Sequence, residues 1–221
     1  MTPAHKKHSV SLTSTNSQGT TITVSYVGPS LIVYSYNTLS GNQPSTYGNT
    51  AFLWQNGPFL PYNQTPLASQ PVSGNSQSGS VNFSNLQIQN KDYIVGYSVG
   101  PNVQNICSWA YIPPGGSPGN SLAFQTMISM ASIATDGVVV NYETPDGNAP
   151  QSGSQWIGIW QGPVASYTTP ALAQANVSSN VSAGQVPIPV TLLRGTQYTV
   201  AYFMGAKQTM MAATCSFTTS S

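Results

Sequence analysis

The chain has 221 residues, of which 39% are hydrophobic and only 4% are charged, with a formal net charge of +1. The hydrophobic fraction is sufficient for folded cores and excludes a largely disordered chain. A surface with so few charges produces weak long-range electrostatic fields, so we expect neither nucleic acid nor acidic lipid as a partner. Weak charge repulsion also leaves a homo-oligomer open.

The first eight residues, MTPAHKKH, predict a flexible basic tail rather than a secretory signal, because no apolar stretch follows them. No apolar run approaches the roughly 20 residues that span a bilayer, so we expect no membrane span. We therefore expect a protein that is cytoplasmic or released without a secretory signal, with action outside the cell left open.

Alternating apolar residues follow the tail and predict half-buried strands, for example Ile22, Val24 and Tyr26, and then Ile32, Tyr34 and Tyr36. Clusters of Gly, Pro, Asn and Ser separate these stretches at short intervals. About seven short strands in some 105 residues are typical of an antiparallel β-sandwich. The segment 170–177 (PALAQANV) is predicted as either a helix or an edge strand.

Residues 36–62 (YNTLSGNQPSTYGNTAFLWQNGPFLPY) recur in altered form as residues 142–167 (YETPDGNAPQSGSQWIGIWQGPVASY). A period near 106 residues indicates duplication of a whole small domain. We predict a tail at 1–8, a first repeat at 9–112, a Pro/Gly linker at 113–120 and a second repeat at 121–221. Each repeat is expected to enclose its own core.

The two cysteines, Cys107 and Cys215, fall in different repeats. We align them with each other by allowing the second repeat a preceding loop three residues longer. We interpret both as free, buried thiols, although a bridge between the repeats stays open.

A tyrosine follows a turn in both repeats, as Tyr93 in KDYIV and Tyr198 in LLRGTQYTV. This pattern resembles the tyrosine corner of immunoglobulin-like and fibronectin type III modules, in which the hydroxyl bonds to the nearby backbone. The segment 156–160 (WIGIW) is similar to a strand of SKICH-type sandwich modules. The resemblance implies an all-β fold of two tandem antiparallel immunoglobulin-like or fibronectin type III-like β-sandwiches related by internal duplication.

Catalytic groups are scarce in this composition. His5 and His8 are the only histidines and lie in the tail, so no serine or cysteine triad can form unless the tail docks. Asp136, Glu143 and Asp146 lie within eleven residues, and both aspartates precede a glycine, which is typical of turns. We expect no enzyme and no cofactor, with calcium left open as a ligand of these acids.

The loops 38–44 (TLSGNQP) and 144–150 (TPDGNAP) are shared by the repeats and have two interpretations. Turn geometry explains their Gly, Asn and Pro. Alternatively, they form a rim of amide and aromatic groups that binds sugars, although core packing competes for the tryptophans. The candidate ligand-binding residues are Asn42, Tyr47, Trp54, Gln55, Tyr62, Asn148, Trp156, Trp160, Gln161 and Tyr167.

These observations favour a non-enzymatic, lectin-like protein with two similar sites for neutral glycans or glycoproteins. Two linked weak sites would gain avidity and could agglutinate their target. The alternatives are a self-assembling structural subunit of a filament, surface layer or inclusion, and a receptor-binding toxin or adhesin.

Overall fold

The computed structural model describes residues 12–116 and 122–220, and in these ranges the protein is almost entirely β-structure. The predicted tail and part of the predicted linker lie outside the described residues. The first repeat contains β1 (Leu12–Gly19), β2 (Thr21–Gly28), β3 (Leu31–Asn37), a one-turn helix α1 (Pro44–Tyr47), β4 (Thr50–Trp54), β5 (Ala68–Pro71), β6 (Ser78–Phe83), β7 (Tyr93–Ser98), a 3₁₀ turn (Val103–Asn105) and β8 (Ile106–Ile112).

The second repeat has the same order of strands. It contains β9 (Ala123–Gln125), β10 (Met127–Ala134), β11 (Gly137–Glu143), β12 (Trp156–Gln161), β13 (Ala173–Asn176), β14 (Ala183–Pro189), β15 (Gln197–Phe203), a 3₁₀ turn (Gln208–Met210) and β16 (Met211–Thr219). The segment predicted as a helix or an edge strand is therefore the edge strand β13, which pairs only with β12 among the described strands.

The strands form four antiparallel sheets, and each repeat combines a three-stranded with a five-stranded sheet. The first repeat has the orders β2-β3-β6 and β5-β4-β7-β8-β9. The second repeat has the orders β10-β11-β14 and β1-β16-β15-β12-β13. Alternating burial along β3 and β11 directs one face of each small sheet inward, as expected for a β-sandwich.

The duplication extends to strand register. Between β2 and β3 the pairing shifts between Val24 and Tyr26, and between β10 and β11 it shifts at the equivalent Met130 and Ser132. Such bulges bend a strand locally, so their recurrence indicates the same curvature in both sheets. The predicted internal duplication is confirmed.

The alignment of Cys107 with Cys215 is wrong. Tyr97 pairs with Ser108, and the equivalent Tyr202 pairs with Ala213. The offset of 105 residues therefore persists through the preceding loop, which has the same length in both repeats. Cys107 corresponds to Ala212, and Cys215 corresponds to Ala110. Both cysteines are buried and free, as predicted.

The repeats exchange their leading strands. β1 precedes the first repeat in sequence but pairs with β16 of the second, in the register Asn16↔Ser216. β9 precedes the body of the second repeat but pairs with β8 of the first. Thr20 lies between β1 and β2, and Thr126 lies between β9 and β10, so at each of these single residues the chain passes from one sandwich to the other. The pattern of apolar residues gave no indication of this exchange.

Each repeat encloses an interior of its own, and the two interiors contact each other. Each repeat has a stacked tyrosine pair inside, Tyr36 with Tyr97 and Tyr142 with Tyr202, at ring-centroid distances of 5.5 and 5.6 Å. However, the main cluster of contacting buried side chains contains residues of both repeats. Contacts across the boundary, such as the 2.7 Å bond from Asn105 Nδ2 to the Met204 carbonyl oxygen, join the two interiors at their ends.

Both predicted tyrosine corners are present. The hydroxyl oxygen of Tyr93 accepts a 2.9 Å hydrogen bond from the backbone N–H of Gln89. The hydroxyl oxygen of Tyr198 accepts the equivalent 2.9 Å bond from Leu193. Each bond contributes about 1 kcal/mol and fixes the loop before the strand.

Candidate functional site

The shared Gly-Asn-x-Pro loops are anchored inside the protein. Asn42 is 2% exposed, and its Nδ2 donates a 2.8 Å bond to Asn49 Oδ1, which also accepts the Tyr97 hydroxyl at 3.1 Å. In the second repeat, Asn148 is 4% exposed and exchanges two hydrogen bonds with the side chain of Gln155. These amides hold their own loops in place, and their hydrogen-bonding groups do not face a surface rim.

The tryptophans of the predicted site are also buried. Trp54 Nε1 donates to the Gln64 carbonyl oxygen at 3.1 Å, and the equivalent Trp160 donates to Thr169 at 2.9 Å. Each indole thereby fastens the loop that follows its strand over the outer face of the five-stranded sheet. Trp156 stacks on Phe203 at a ring-centroid distance of 3.9 Å. The exposed ring faces that sugar stacking requires are not available at these positions.

Tyr62 and Tyr167 lie between the repeats. A Cβ atom built on Gly147 would lie 3.4 Å from the ring of Tyr62, and one built on Gly41 would lie 3.3 Å from the ring of Tyr167. Each tyrosine therefore packs on the Gly-Asn-x-Pro loop of the other repeat. Tyr47 stacks on Tyr167 with ring centroids 5.4 Å apart. Burial raises the pKa of both phenols, Tyr62 and Tyr167.

Gln55 and Gln161 are the two predicted site residues with exposed side chains. They occupy equivalent positions at the ends of β4 and β12. The ten predicted residues therefore lie in different places: some hold loops in position, some pack on the outer faces of the five-stranded sheets, and some lie between the repeats. They do not form one open site.

A different surface forms an open groove, which we call the polar groove. It has a volume of about 330 Å³ and lies on the outer face of the strands β1, β16 and β15. Asn16 and Gln18 contribute exposed side chains from β1, and β16 contributes alternate residues, Thr214, Ser216 and Thr218. Alternate residues of a strand share one face, so these hydroxyls form a row along the floor.

The groove walls come from two loops. Pro163, Val164 and Ala165 of the loop after β12 form one side, and Leu39 and Ser40 of the first repeat close one end. Because β1 and Leu39 belong to the first repeat, the site is complete only when both repeats are in place.

Polar contacts within the floor fix part of its geometry. Thr199 Oγ1 lies 2.9 Å from Ser216 Oγ and 2.8 Å from the Gly162 carbonyl oxygen, to which it donates. Because the Thr199 hydroxyl donates its hydrogen to the Gly162 carbonyl oxygen, Ser216 Oγ can donate either to Thr199 Oγ1 or to a bound molecule. The lining combines neutral amides, hydroxyls and apolar groups.

The equivalent surface of the first repeat is filled by aromatic side chains. Thr214 is replaced there by Trp109, whose ring stacks on Phe124 of β9 at 6.1 Å and 14°. Ser216 is replaced by Tyr111, whose hydroxyl donates to Asp92 Oδ1. The two repeats share a fold, but the residues at this surface are polar and small in the second repeat and aromatic in the first.

The acidic residues and thiols do not cluster as metal ligands in the described ranges. Residues 12–116 and 122–220 contain no group of three or more His, Cys, Asp or Glu side chains suited to hold a metal ion. The side chain of Asp146 accepts a 3.4 Å bond from Ser182 Oγ at the surface. Burial raises the pKa of Cys107 to about 12, which keeps its thiol protonated and unreactive.

Met210 and Met211, where the second 3₁₀ turn meets β16, are buried. Met210 reaches the first repeat, where its Cε lies 2.9 Å from a Cβ built on Gly100.

Comparison with models of known protein families finds none that matches this chain. Comparison with curated protein sequences finds no match either. Within the described residues, no helix has the length and apolar character needed to cross a membrane.

Proposed function

We propose that the protein is a non-enzymatic binding protein that holds a neutral carbohydrate in the polar groove of its second repeat. The observation that carries this proposal is the contrast between the repeats. The same position on one scaffold is open and polar around Thr214 and Ser216, and is closed by Trp109 and Tyr111 in the other copy. A surface kept open in this way exposes groups that a ligand can use.

The chemistry of the lining favours sugars over charged ligands. Side-chain amides of Asn16, Gln18 and Gln197 provide both donors and acceptors, as hydroxyl-rich ligands require. Val164 and Ala165 offer apolar contact to the C–H groups of a sugar ring. Because the lining groups are neutral amides, hydroxyls and apolar side chains, binding suits them better than acid–base catalysis.

The scaffold supports the proposal through its strand order. Without the exchanged strands, each repeat has a three-stranded sheet of its first, second and fifth strands and a four-stranded sheet of the others. That division is typical of fibronectin type III-like and related immunoglobulin-like modules. Such modules commonly display binding sites on their loops and sheet faces.

We propose one ligand site per chain, whereas the duplication led us to expect two. The proposed site lies in the second repeat alone, so a single chain binds one ligand through it and does not crosslink two targets. Agglutination would require association of chains.

A glycan array with the full chain tests the proposal, with and without calcium. The variant Thr214→Trp/Ser216→Tyr fills the groove with the aromatic side chains that the first repeat already accommodates. We expect array binding by the unaltered chain and at least a tenfold loss in this variant, equivalent to about 1.4 kcal/mol of binding free energy. The matched control is Gln55→Ala/Gln161→Ala, which removes exposed amides outside the groove and should bind normally.

Two results would reject the proposal. One is a blank array with protein shown to be folded by circular dichroism. The other is unchanged binding by the groove-filling variant. If only the glutamine variant loses binding, the ligand site lies at the loops after β4 and β12.

A self-assembling structural subunit is the second candidate function. It is favoured by β1, an eight-residue strand that ends the sheet order β1-β16-β15-β12-β13 and so presents an edge. Light scattering and electron microscopy at rising protein concentration separate the candidates, because polymers formed without ligand would support the structural role.

A further inference from the structure

In sequence order, the first repeat (β1–β8) and the second repeat (β9–β16) contact each other through the exchanged strands and through loops, yet one covalent segment joins them. β8 ends at Ile112 and β9 begins at Ala123, so the connection is residues 113–122. All other contacts across the boundary are non-covalent, including the Asn105–Met204 hydrogen bond and the packing of Tyr62 and Tyr167 on the glycine loops. The second repeat could therefore be supplied by another copy without loss of these contacts.

The β1–β16 pairing shows that a leading strand needs no covalent link to its sheet partner. β9 pairs with β8, to which the connecting segment joins it, with the register Ser108↔Gln125. β1 occupies the equivalent place beside β16, with the register Ala213↔Gly19, although the two strands lie at opposite ends of the sequence. The sheet of the second repeat thus already accepts a strand held only by hydrogen bonds and packing.

We propose that two copies of this chain exchange their second repeats and form a closed, domain-swapped dimer. In the dimer, β1 of each copy pairs with β16 of the other copy. Every contact between repeats is re-formed between chains, so the two states differ in the connecting segment and in the entropy of association.

The connecting segment is suited both to the folded-back conformation of the single chain and to the opened conformation of the exchanged dimer. In the single chain, the Tyr111 N–H donates to the Leu122 carbonyl oxygen at 2.8 Å, and Gly115 adopts a positive φ of 65°. In an opened segment, Pro113 and Pro114 favour extended backbone, because proline fixes φ near −65° and restricts the preceding residue. The prolines therefore reduce the entropy lost when the segment opens.

The exchange would give the polar groove a second copy on the same particle. Asn16, Gln18, Leu39 and Ser40 would come from one chain, and the β15–β16 floor would come from its partner. A dimer would carry two such grooves. The exchange itself concerns contacts between repeats and is independent of what the groove binds.

A disulfide between Asn16→Cys and Ser216→Cys reports which chain supplies β1, because these residues are paired neighbours on β1 and β16. Cys107→Ala and Cys215→Ala remove the native thiols, and the equivalent residues Ala212 and Ala110 show that alanine fits there. After oxidation, non-reducing electrophoresis shows a monomer for pairing within a chain and a covalent dimer for exchange.

The crosslinking chain is unfolded in urea and refolded at about 10 µM and at about 1 mM, which brackets the effective concentration of linked repeats. We expect monomer at the lower concentration and at least half covalent dimer at the higher one. A second variant also lacks residues 114–121, which leaves Ile112 and Pro113 to connect Tyr111 to Leu122. Two-residue hairpin turns favour positive φ, which proline cannot adopt, so this variant should be dimeric at both concentrations.

A covalent monomer in every sample overturns the proposal. If the deletion variant does not fold, the refolding series decides alone, and persistence of monomer at the higher concentration overturns the proposal. A ladder of larger covalent species also contradicts the closed dimer. The matched control is a variant with ten Gly/Ser residues added to the segment, which should stay monomeric at the lower concentration.

Discussion

The backbone N–H of Thr20 donates a 3.0 Å hydrogen bond to the carbonyl oxygen of Ala212, which lies in the other repeat. The equivalent bond joins the Thr126 N–H to the Cys107 carbonyl oxygen at 2.7 Å. Both threonines are buried, so these bonds are shielded from water where the chain crosses between sandwiches. The crossings make the repeats one mutually dependent structure, and folding of each sheet edge requires the other repeat.

Asn148→Ala is expected to reduce stability without altering ligand binding. The substitution leaves the buried side chain of Gln155 without the two bonds that Asn148 exchanges with it, and only the Tyr202 hydroxyl, at 2.6 Å, remains on its Oε1. An unsatisfied buried amide costs about 1–3 kcal/mol. Urea denaturation followed by circular dichroism measures this loss.

The control for Asn148→Ala is Asn141→Ala. Asn141 also makes two side-chain hydrogen bonds, with Ser129 and Gln185, but at the surface. Its loss should change the unfolding free energy by less than about 0.5 kcal/mol. If Asn148→Ala instead keeps its stability and loses glycan binding, the loop is part of the ligand site.

Gly147→Ala is expected to destabilise the boundary between repeats. Gly147 has a φ of +80°, and an added Cβ would lie 3.4 Å from the ring of Tyr62. Left-handed backbone alone costs a non-glycine residue about 1–2 kcal/mol. Gly195→Ala is the matched control, because Gly195 has a φ of +62° with open space around its added Cβ.

The difference between the two glycine variants isolates the crowding at Tyr62. We expect Gly147→Ala to lower the urea midpoint more than Gly195→Ala. Equal midpoints would mean that Tyr62 moves aside at no cost, and that its packing on the loop does not hold the repeats together.

The protein is expected to lose stability in alkaline solution. Burial raises the pKa of Tyr97, Tyr167 and Tyr202 above the ordinary value of 10.0, and raises that of Cys107 from 9.0 to about 12. Above about pH 9, the unfolded chain releases these protons while the folded chain retains them. The unfolded state then binds fewer protons, so the free energy of unfolding falls as pH rises.

Urea midpoints between pH 6 and pH 11 measure the alkaline loss, which should be absent below the ordinary pKa values and grow above them. Tyr167→Phe is the informative variant, since the buried Tyr167 hydroxyl has no hydrogen-bond partner among the described residues. It should match the unaltered chain at pH 7 and lose less stability at pH 11. A flat profile up to pH 11 would show that these phenols ionise without unfolding the protein.

The local features of the fold were predictable because they depend on neighbours in sequence. The repeat, the alternating strands and the tyrosine corners of Tyr93 and Tyr198 all follow from spacing and turn chemistry, and the structure confirms them. The edge strand β13 remained undecided, since four alternating residues fit a helix end as well as a strand.

The candidate site was harder to predict because the residues that the two repeats share are mainly those that maintain their common fold. Trp54 and Trp160 recur because each fastens a loop, and Asn42 and Asn148 recur because each anchors one. The groove appears instead where the repeats differ. Aligning the two cysteines placed Trp109 opposite Phe217 and so concealed its replacement by Thr214.

The sequence by itself determined an all-β chain of two copies with weak surface charge, because composition, periodicity and turn residues act locally. Only the tertiary structure decided that β1 leaves its own repeat for β16, that the two interiors contact each other, and that one copy keeps an open groove. Pairing between distant strands depends on which of several similar edges offers the best packing and hydrogen bonds. That competition is settled by the assembled surfaces of both repeats, which no single stretch of the chain encodes.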